Sequence, residues 1–475
     1  MKGKLNNIVP CFLESRKNSN CILELEEFLL SEEESIITDA IDVTKELFSN
    51  IFSQAMLRQG FNAGEVQEKY RLWLFNRYED YVGHLLSYLS HPSTKIRESA
   101  LDTLLTFVIL EKEYPIKVVD NGKYYFPRNL FQKIIKELLS YEIDQQKVIL
   151  RFQNCTSSED NKFYLLKCMQ CTLESSEKLT DVFIENTFHL LRGLEYPEEF
   201  SNSGVQGQSG IDEKKFSKLF SSVWRRFLKF QLPPVLFRKV LMCLDEGVLP
   251  HLQNPCVMTD FLTNAYNKGG LTSLLSLNGL FLLMQKYNVE YPDFYKKLYA
   301  LFSEKIVNGK LSARFFYLSN LFLSSTHLPA YVVASFAKKL SRISLMSRTD
   351  TLMKIVPFVC NLLIRHPTLN VLIHRNDPKS LSCDPFNFDE TDPSASKAID
   401  SSLWELKALQ NHLNPVVSSK AKVINSNLPK LEYDISGVLN VTLNDVYQKE
   451  RKRKFSEMPL ATKKPCMENV WIFDK

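Results

Sequence analysis

Apolar side chains recur at helical intervals on both sides of a single proline. Tyr81 to Leu89 runs into Ser90-His91-Pro92, and Ile96, Ala100, Leu104 and Val108 then follow four residues apart. Proline lacks a backbone donor and restricts the residue before it, so it stops the first helix and a second starts at once. Leu101 and Leu105 widen the second stripe, while Lys95, Arg97, Glu98 and Asp102 are expected to face outward. Two antiparallel helices joined by a short proline turn are the unit of a HEAT-like stack. Phe131 to Leu139, Phe163 to Leu173 and Val182 to Leu191 continue the pattern without a fixed sequence period.

A chain of 475 residues exceeds what one core usually serves, which favours a repeat array or several domains. Its 15 glycines are about half the usual ~7% share, which suits helices better than turn-rich sheets. The expected fold is all-α: a HEAT-like or armadillo-like α-solenoid in two halves, with a wrapping arm and a basic tail. The boundaries follow from composition. An amino-terminal helical region spans 1–196, and a linker spans 197–211, where Pro197 to Gly210 holds three glycines and few large apolar residues. A second helical domain spans 212–375. Three Asp-Pro pairs then open an acidic arm, and the arm with a last amphipathic helix, Ser396 to His412, fills 376–448; a mobile basic tail covers 449–475.

The balance of charge and the cysteines narrow the function classes. Net charge is +5 on 59 basic and 54 acidic residues, so any contact with nucleic acid must be local. Ten scattered cysteines without framework spacing indicate a reducing compartment. The opening residues hold no apolar run suited to a secretory signal. Leu271 to Met284 and Ile355 to Ile364 are shorter than the ~20 residues a bilayer crossing needs and are expected to be buried helices, although a hydropathy scan would flag them.

Reactive chemistry finds few residues to rest on. Cys168 and Cys171 form a lone CxxC without the further ligands zinc needs, and both thiols are expected in a packed helix face. Cys360, His366, His374 and Cys383 cluster in sequence, but His366-Pro367 reads more simply as a helix end. No GxxxxGK[ST] or GxGxxG occurs, and Gly269-Gly270 reads as a turn. No catalytic, cofactor or metal residue is assigned, and an enzyme is not expected.

Binding surfaces are better represented. In the stretch Val289 to Phe302, Pro292 is expected to open a helix whose rings point inward as clamps, with Lys296 and Lys297 on the other side. Asp384, Asp389, Glu390 and Asp392 surround Phe386 and Phe388; the readings are an arm docking on the protein or a partner, a capped loop, or a cation site. Phe386, Phe388 and Trp404 are the candidate partner-binding residues. Trp224-Arg225-Arg226-Phe227-Leu228-Lys229-Phe230 interleaves rings and cations, with Arg225, Arg226 and Lys229 spread around the helix away from Val223, Phe227 and Phe230. Both a solvated face and an RNA contact fit that arrangement. Lys449, Arg451, Lys452, Arg453 and Lys454, with Lys463-Lys464-Pro465 downstream, have the composition of a nuclear import signal or a solubilising tail.

Leu271 to Phe302 and Ala313 to Leu345 resemble the CCAAT-binding-factor-like (CBF) domain of nucleolar complex proteins. Leu328-Pro329-Ala330-Tyr331, the run Val356 to Pro367 and Asp400-Ser401-Ser402-Leu403-Trp404-Glu405-Leu406 are similar to the nucleolar complex protein 4 branch, the match covering about residues 230 to 425. The resemblance implies a non-enzymatic nucleolar assembly factor of the small (40S) ribosomal subunit. It implies pairing with a protein like nucleolar protein 14 in the small-subunit processome, contact with the precursor particle and possible contact with rRNA. The alternative is a general helical scaffold for nuclear transport or transcription without a ribosomal role.

Overall fold

A computed structural model describes residues 2–15, 18–58, 65–116, 125–155, 158–175, 180–196, 212–325, 327–375, 383–426, 428–429 and 431–452. Among them there is no strand. The chain divides into two compact units, 1–261 and 262–475. The expected linker at 197–211 lies outside the described residues.

The first unit consists of α1 (Lys2–Glu14), α2 (Cys21–Leu29), α3 (Glu34–Ser53), α4 (Glu65–Tyr88), α5 (Thr94–Glu113), α6 (Arg128–Leu138), α7 (Gln146–Cys155), α8 (Glu159–Ser175), α9 (Asp181–Arg192), α10 (Glu213–Phe227) and α11 (Pro234–Gly247). Alternate helices pack on each other: α3, α5, α7 and α9 form one row, and α4, α6, α8 and α10 the other. That two-row stack is the solenoid expected from the helix–proline–helix unit. α10 and α11 pack against α8 and α9, within the unit that ends at 261.

Rings fill the centre of the stack. Phe48 lies edge-on to Tyr78, Tyr81 and Phe107 with centroids 5.4, 5.5 and 5.6 Å away. Turns of successive helix pairs are tied by a buried polar ladder. Gln145 donates its amide to Leu89 O at 2.7 Å, and Asn186 donates to Ile143 O at 2.9 Å while accepting from Gln145 N at 3.0 Å. Arg97, expected on the outer face, turns inward to this ladder and donates to Asp144 O at 3.1 Å. An unpaired carbonyl at a buried turn is costly, and these side chains supply the missing donors.

One buried carboxyl gives this unit a pH dependence. Tyr78 donates its hydroxyl to Glu111 Oε1 at 2.6 Å. Burial pushes the Glu111 carboxyl from its ordinary 4.5 up to about 7, with the Tyr78 bond opposing that rise. The folded chain therefore holds a proton that the unfolded chain releases at a lower pH. Stability from this group is full below the unfolded value and lost as pH rises through 7. Glu111→Gln keeps an acceptor for Tyr78 without the charge. In urea unfolding it should match the parent at pH 5 and exceed it at pH 8 by up to about 3 kcal/mol.

α12 (Thr259–Asn267) spans residue 261, and the second unit continues with α13 (Gly270–Tyr287), α14 (Phe294–Leu301), α15 (Glu304–Val307), α16 (Ser312–Phe322), α17 (Ala330–Ser344), α18 (Thr349–Arg365), α19 (Trp404–Leu409), α20 (Pro415–Ala421), α21 (Ser436–Leu439) and α22 (Leu443–Lys452), with short 3-10 turns between them. Gly269 and Gly270, with φ of 77° and 63°, make the turn into α13, a conformation that side chains with a Cβ resist. The apolar α18 is the axis of the unit: α16, α17, α20, α21 and α22 all pack on it, and Thr351 to Leu363 is buried throughout. The two apolar runs thus lie in α13 and α18. No helix among the described residues is long and apolar enough to cross a membrane.

The aromatic stretch is a clamp, as its periodicity indicates. Phe302 meets Phe315 and Phe336 at 4.7 and 4.8 Å, and Phe294 meets Phe322 at 5.4 Å. Pro292 stands two residues before α14, outside its first turn. The expected helix from Ser396 to His412 is broken. Lys397 takes a left-handed φ of 54°, Ser401 is extended, and Leu403 N–H donates to Leu372 O at 2.9 Å, so only Trp404–Leu409 is α-helical. Helical elements also continue beyond it. The last of them, α22, extends past 448 and carries Lys449, Arg451 and Lys452 in its final turn, where the tail was expected to be mobile.

Candidate functional site

Two surfaces gather the residues singled out by sequence. The first is the anchored arm. Lys338 projects from α17 and its side chain is fully buried. Its Nζ lies 2.7 Å from Glu405 Oε1, an ion pair lying off the angle of a hydrogen bond, and 2.9 Å from Asp384 Oδ2. It also donates to Ser402 O at 2.6 Å. The Trp404 ring lies 5.4 Å from this ammonium and 5.0 Å from the Arg342 guanidinium, and its indole N–H donates to Asp384 Oδ2 at 2.8 Å. Phe386 completes the aromatic surround at 5.8 Å.

The electrostatics follow from burial. Desolvation opposes the charge of Asp384, but donors from Lys338, Ser401, Trp404 and the Phe386 N–H outweigh it and hold the carboxyl well below its usual range. Glu405 shifts the other way: burial raises it, and Lys338 offsets only part of that rise. Lys338 therefore joins the arm, α17 and α19 through one cation.

Of the candidate partner-binding residues, Phe386 and Trp404 are thus brought together around Lys338. Phe388 lies 6.5 Å from Phe386 and leaves 41% of its surface exposed, as does Trp404. The other acids of the loop are dispersed. Asp392 pairs with Lys296 at 3.1 Å and accepts from the Ser394 N–H, and Glu390 accepts from two backbone amides. The described residues hold no group of three or more His, Cys, Asp or Glu suited to a metal ion.

The second surface lies on α10 and corrects the reading of its cations as spread out. Ser222, Arg225 and Arg226 fall at i, i+3 and i+4 of α10 and, with Lys229 from the turn after it, line one recess of about 370 Å³ with Glu174 and Phe230. Lys218 extends the same stripe into an adjoining recess. Val223, Trp224 and Phe227 are buried on the opposite side, which fixes the rotation of the helix. Arg226 has a structural share as well, since its Nε donates to Leu173 O at 2.9 Å, near the end of α8.

The cysteines and histidines do not assemble. Cys168 is buried and its thiol pushed up to about 12 by desolvation, whereas Cys171 is exposed, contrary to the expectation that both are packed. Cys360 is likewise buried and raised to about 12. His366 caps α18 as the sequence indicates, while His374 and Cys383 are exposed. Of the basic tract, Lys449, Arg451 and Lys452 are exposed on α22, and Arg453 and Lys454 lie outside the described residues.

Comparison with known proteins agrees with both halves of the architecture. Residues 273–421 match the CBF/Mak21 family, and residues 4–178 match the family described as nucleolar complex protein 4-like, TPR repeats. TPR and HEAT-like repeats are both stacks of antiparallel helix pairs. Nucleolar complex protein 4 homolog B of Xenopus laevis is 40% identical over 96% of this chain and 91% of its own length. The Homo sapiens homolog is 38% identical over 96% and 93%, and nucleolar complex protein 4 of Saccharomyces cerevisiae 30% over 87% and 83%. The similarity runs through the stack, the CBF region and the anchored arm alike, and the chain belongs to the nucleolar complex protein 4 family.

Proposed function

We propose that the chain is a non-enzymatic scaffold of ribosome biogenesis that acts in the nucleolus on the small (40S) subunit. In this reading it pairs with an extended partner resembling nucleolar protein 14 and holds a defined place in the small-subunit processome while the rRNA precursor is processed. The observation that carries the reading is the near full-length similarity to nucleolar complex protein 4 relatives. The physical support is a rigid surface. A stack stiffened by buried rings and inter-turn hydrogen bonds lowers the ordering cost when a long, flexible partner lies along it. Phe388 and Trp404 supply exposed aromatic anchors for protein, and the α10 stripe supplies cations for RNA phosphates.

Sedimentation tests the reading. A tagged chain should run with large precursor particles in a gradient of nuclear extract. Recovery only near the top, with import or transcription factors, would favour the general-scaffold alternative instead. The basic tract has a separate role as import signal, so deletion of 449–465 should move the tagged protein toward the cytoplasm. An unchanged nucleolar image would remove that role.

A further inference from the structure

A second cationic recess lies in the CBF unit, assembled from three segments far apart in sequence. It encloses about 420 Å³ and is lined by Lys310, Ser312, Arg348, Asp350, Lys354 and the stretch 439–444. The first turns of α16, α18 and α22 all contribute to its wall, through Ser312, Asp350 and Asn444. The partial positive charge of a helix amino terminus favours an anion, although the Ser312 N–H already donates to Gly309 O and the Asp445 N–H to Thr442 Oγ1.

Two coupled side chains of its wall, both buried, keep hydrogen-bonding capacity that no described residue uses. Lys354 is 5% exposed, yet among the described residues its ammonium has a single long hydrogen bond, to Ser312 Oγ at 3.4 Å. Burial pushes this amine below its usual range, with Asp350 opposing. Asp350 is also 5% exposed; its Oδ2 pairs with Arg348 at 3.1 Å, while its Oδ1 has no hydrogen-bond partner among the described residues. The site therefore offers donors for an anion and, beside them, one acceptor that needs a donor. A phosphodiester next to a ribose hydroxyl supplies both. A carboxylate side chain supplies acceptors alone.

The surroundings favour a polyanion. From the recess α22 leads over about 14 Å to the exposed Lys449, Arg451 and Lys452 of its last turn, a track on which successive phosphates can sit. We propose that this recess binds the backbone of RNA, with Lys310, Arg348 and Lys354 around one phosphate and Asp350 accepting from an adjacent ribose 2′-hydroxyl. The proposal rests on the ribosome-assembly reading only in naming RNA as the source of the phosphate.

Fluorescence anisotropy of the full chain with a short single-stranded RNA, and with DNA of the same sequence, tests it. Lys310 is exposed, so Lys310→Glu should leave the melting temperature unchanged. It should weaken RNA binding about tenfold and reduce the salt slope by about 0.7. Asp350→Ala should lower the preference for RNA over DNA, and Asp350→Asn, which keeps an acceptor oxygen, should retain it. Unchanged RNA affinity in Lys310→Glu, or loss of binding to poly-glutamate in place of RNA, overturns the assignment. Co-sedimentation with precursor particles by a Lys310→Glu chain of unaltered RNA affinity would sink the recess and leave the proposed function standing. A chain that binds RNA through the recess but stays at the top of the gradient would do the reverse.

Discussion

Replacing Lys338 with methionine should cost about 3–5 kcal/mol in the unfolding of the CBF unit, because it leaves Glu405 buried without its closest counter-charge. Arg342 is 3.8 Å from the same carboxylate, a longer contact from a side chain that is 40% exposed, and offsets only part of the loss. The loss should grow with pH. Burial already raises the Glu405 carboxyl, and without Lys338 it rises further, so the folded variant keeps a proton that the unfolded chain gives up. Stability from that group is complete below the ordinary carboxylate value and disappears as pH passes the folded one. The variant should therefore lie closer to the parent at pH 5 than at pH 8. A Lys338→Met/Glu405→Leu double variant removes both charges and should recover much of the loss. Urea titrations followed by limited proteolysis of the 383–396 arm separate the outcomes: a single variant as stable as its parent, with an uncut arm, would show that Lys338 does not anchor it.

The same cluster marks where reading a sequence stops working. Short-range features survive well. The stripe Ile96, Ala100, Leu104 and Val108 is buried as its spacing requires, and the rings of Phe294, Tyr299 and Phe302 are core. Features set by distant partners do not survive. Leu403, Trp404, Leu406 and Leu409 have helical spacing, yet Ser401 is held extended where it donates to Asp384, and Leu403 bonds to Leu372, so the pattern yields a single short helix. Arg97 looks like a surface residue beside Glu98, but its acceptors are the turn residues Asp144 and Gln145, 47 and 48 positions away. Lys338 and Lys339 are adjacent in sequence. In the fold they point to different acceptors, Lys338 to the arm and Lys339 to Tyr299 O, where burial lowers its amine to about 8. Local propensity cannot report partners that only tertiary packing supplies.

The cationic stripe is a different case, since part of its geometry was present in the spacing itself: positions 222, 225 and 226 share a face of α10, and Lys229 joins them from the turn that follows. Its consequence for RNA is the second large effect. Arg225→Glu/Lys229→Glu reverses two exposed cations and spares Arg226, whose Nε bond to Leu173 O makes it partly structural. If each cation neutralises one phosphate of a single strand, the double variant loses about 1.4 from the slope of log affinity against log salt. Repulsion by two new carboxylates beside Glu174 adds to the loss, so binding should weaken by about two orders of magnitude at low salt and by much less at high salt. Thermal unfolding should stay within about 0.5 kcal/mol of the parent because both side chains are solvated. Equal affinity at both salt concentrations would assign the stripe to solubility alone. A loss independent of salt would instead implicate the buried face of Trp224 and Phe227, because counterion release has no part in apolar contact.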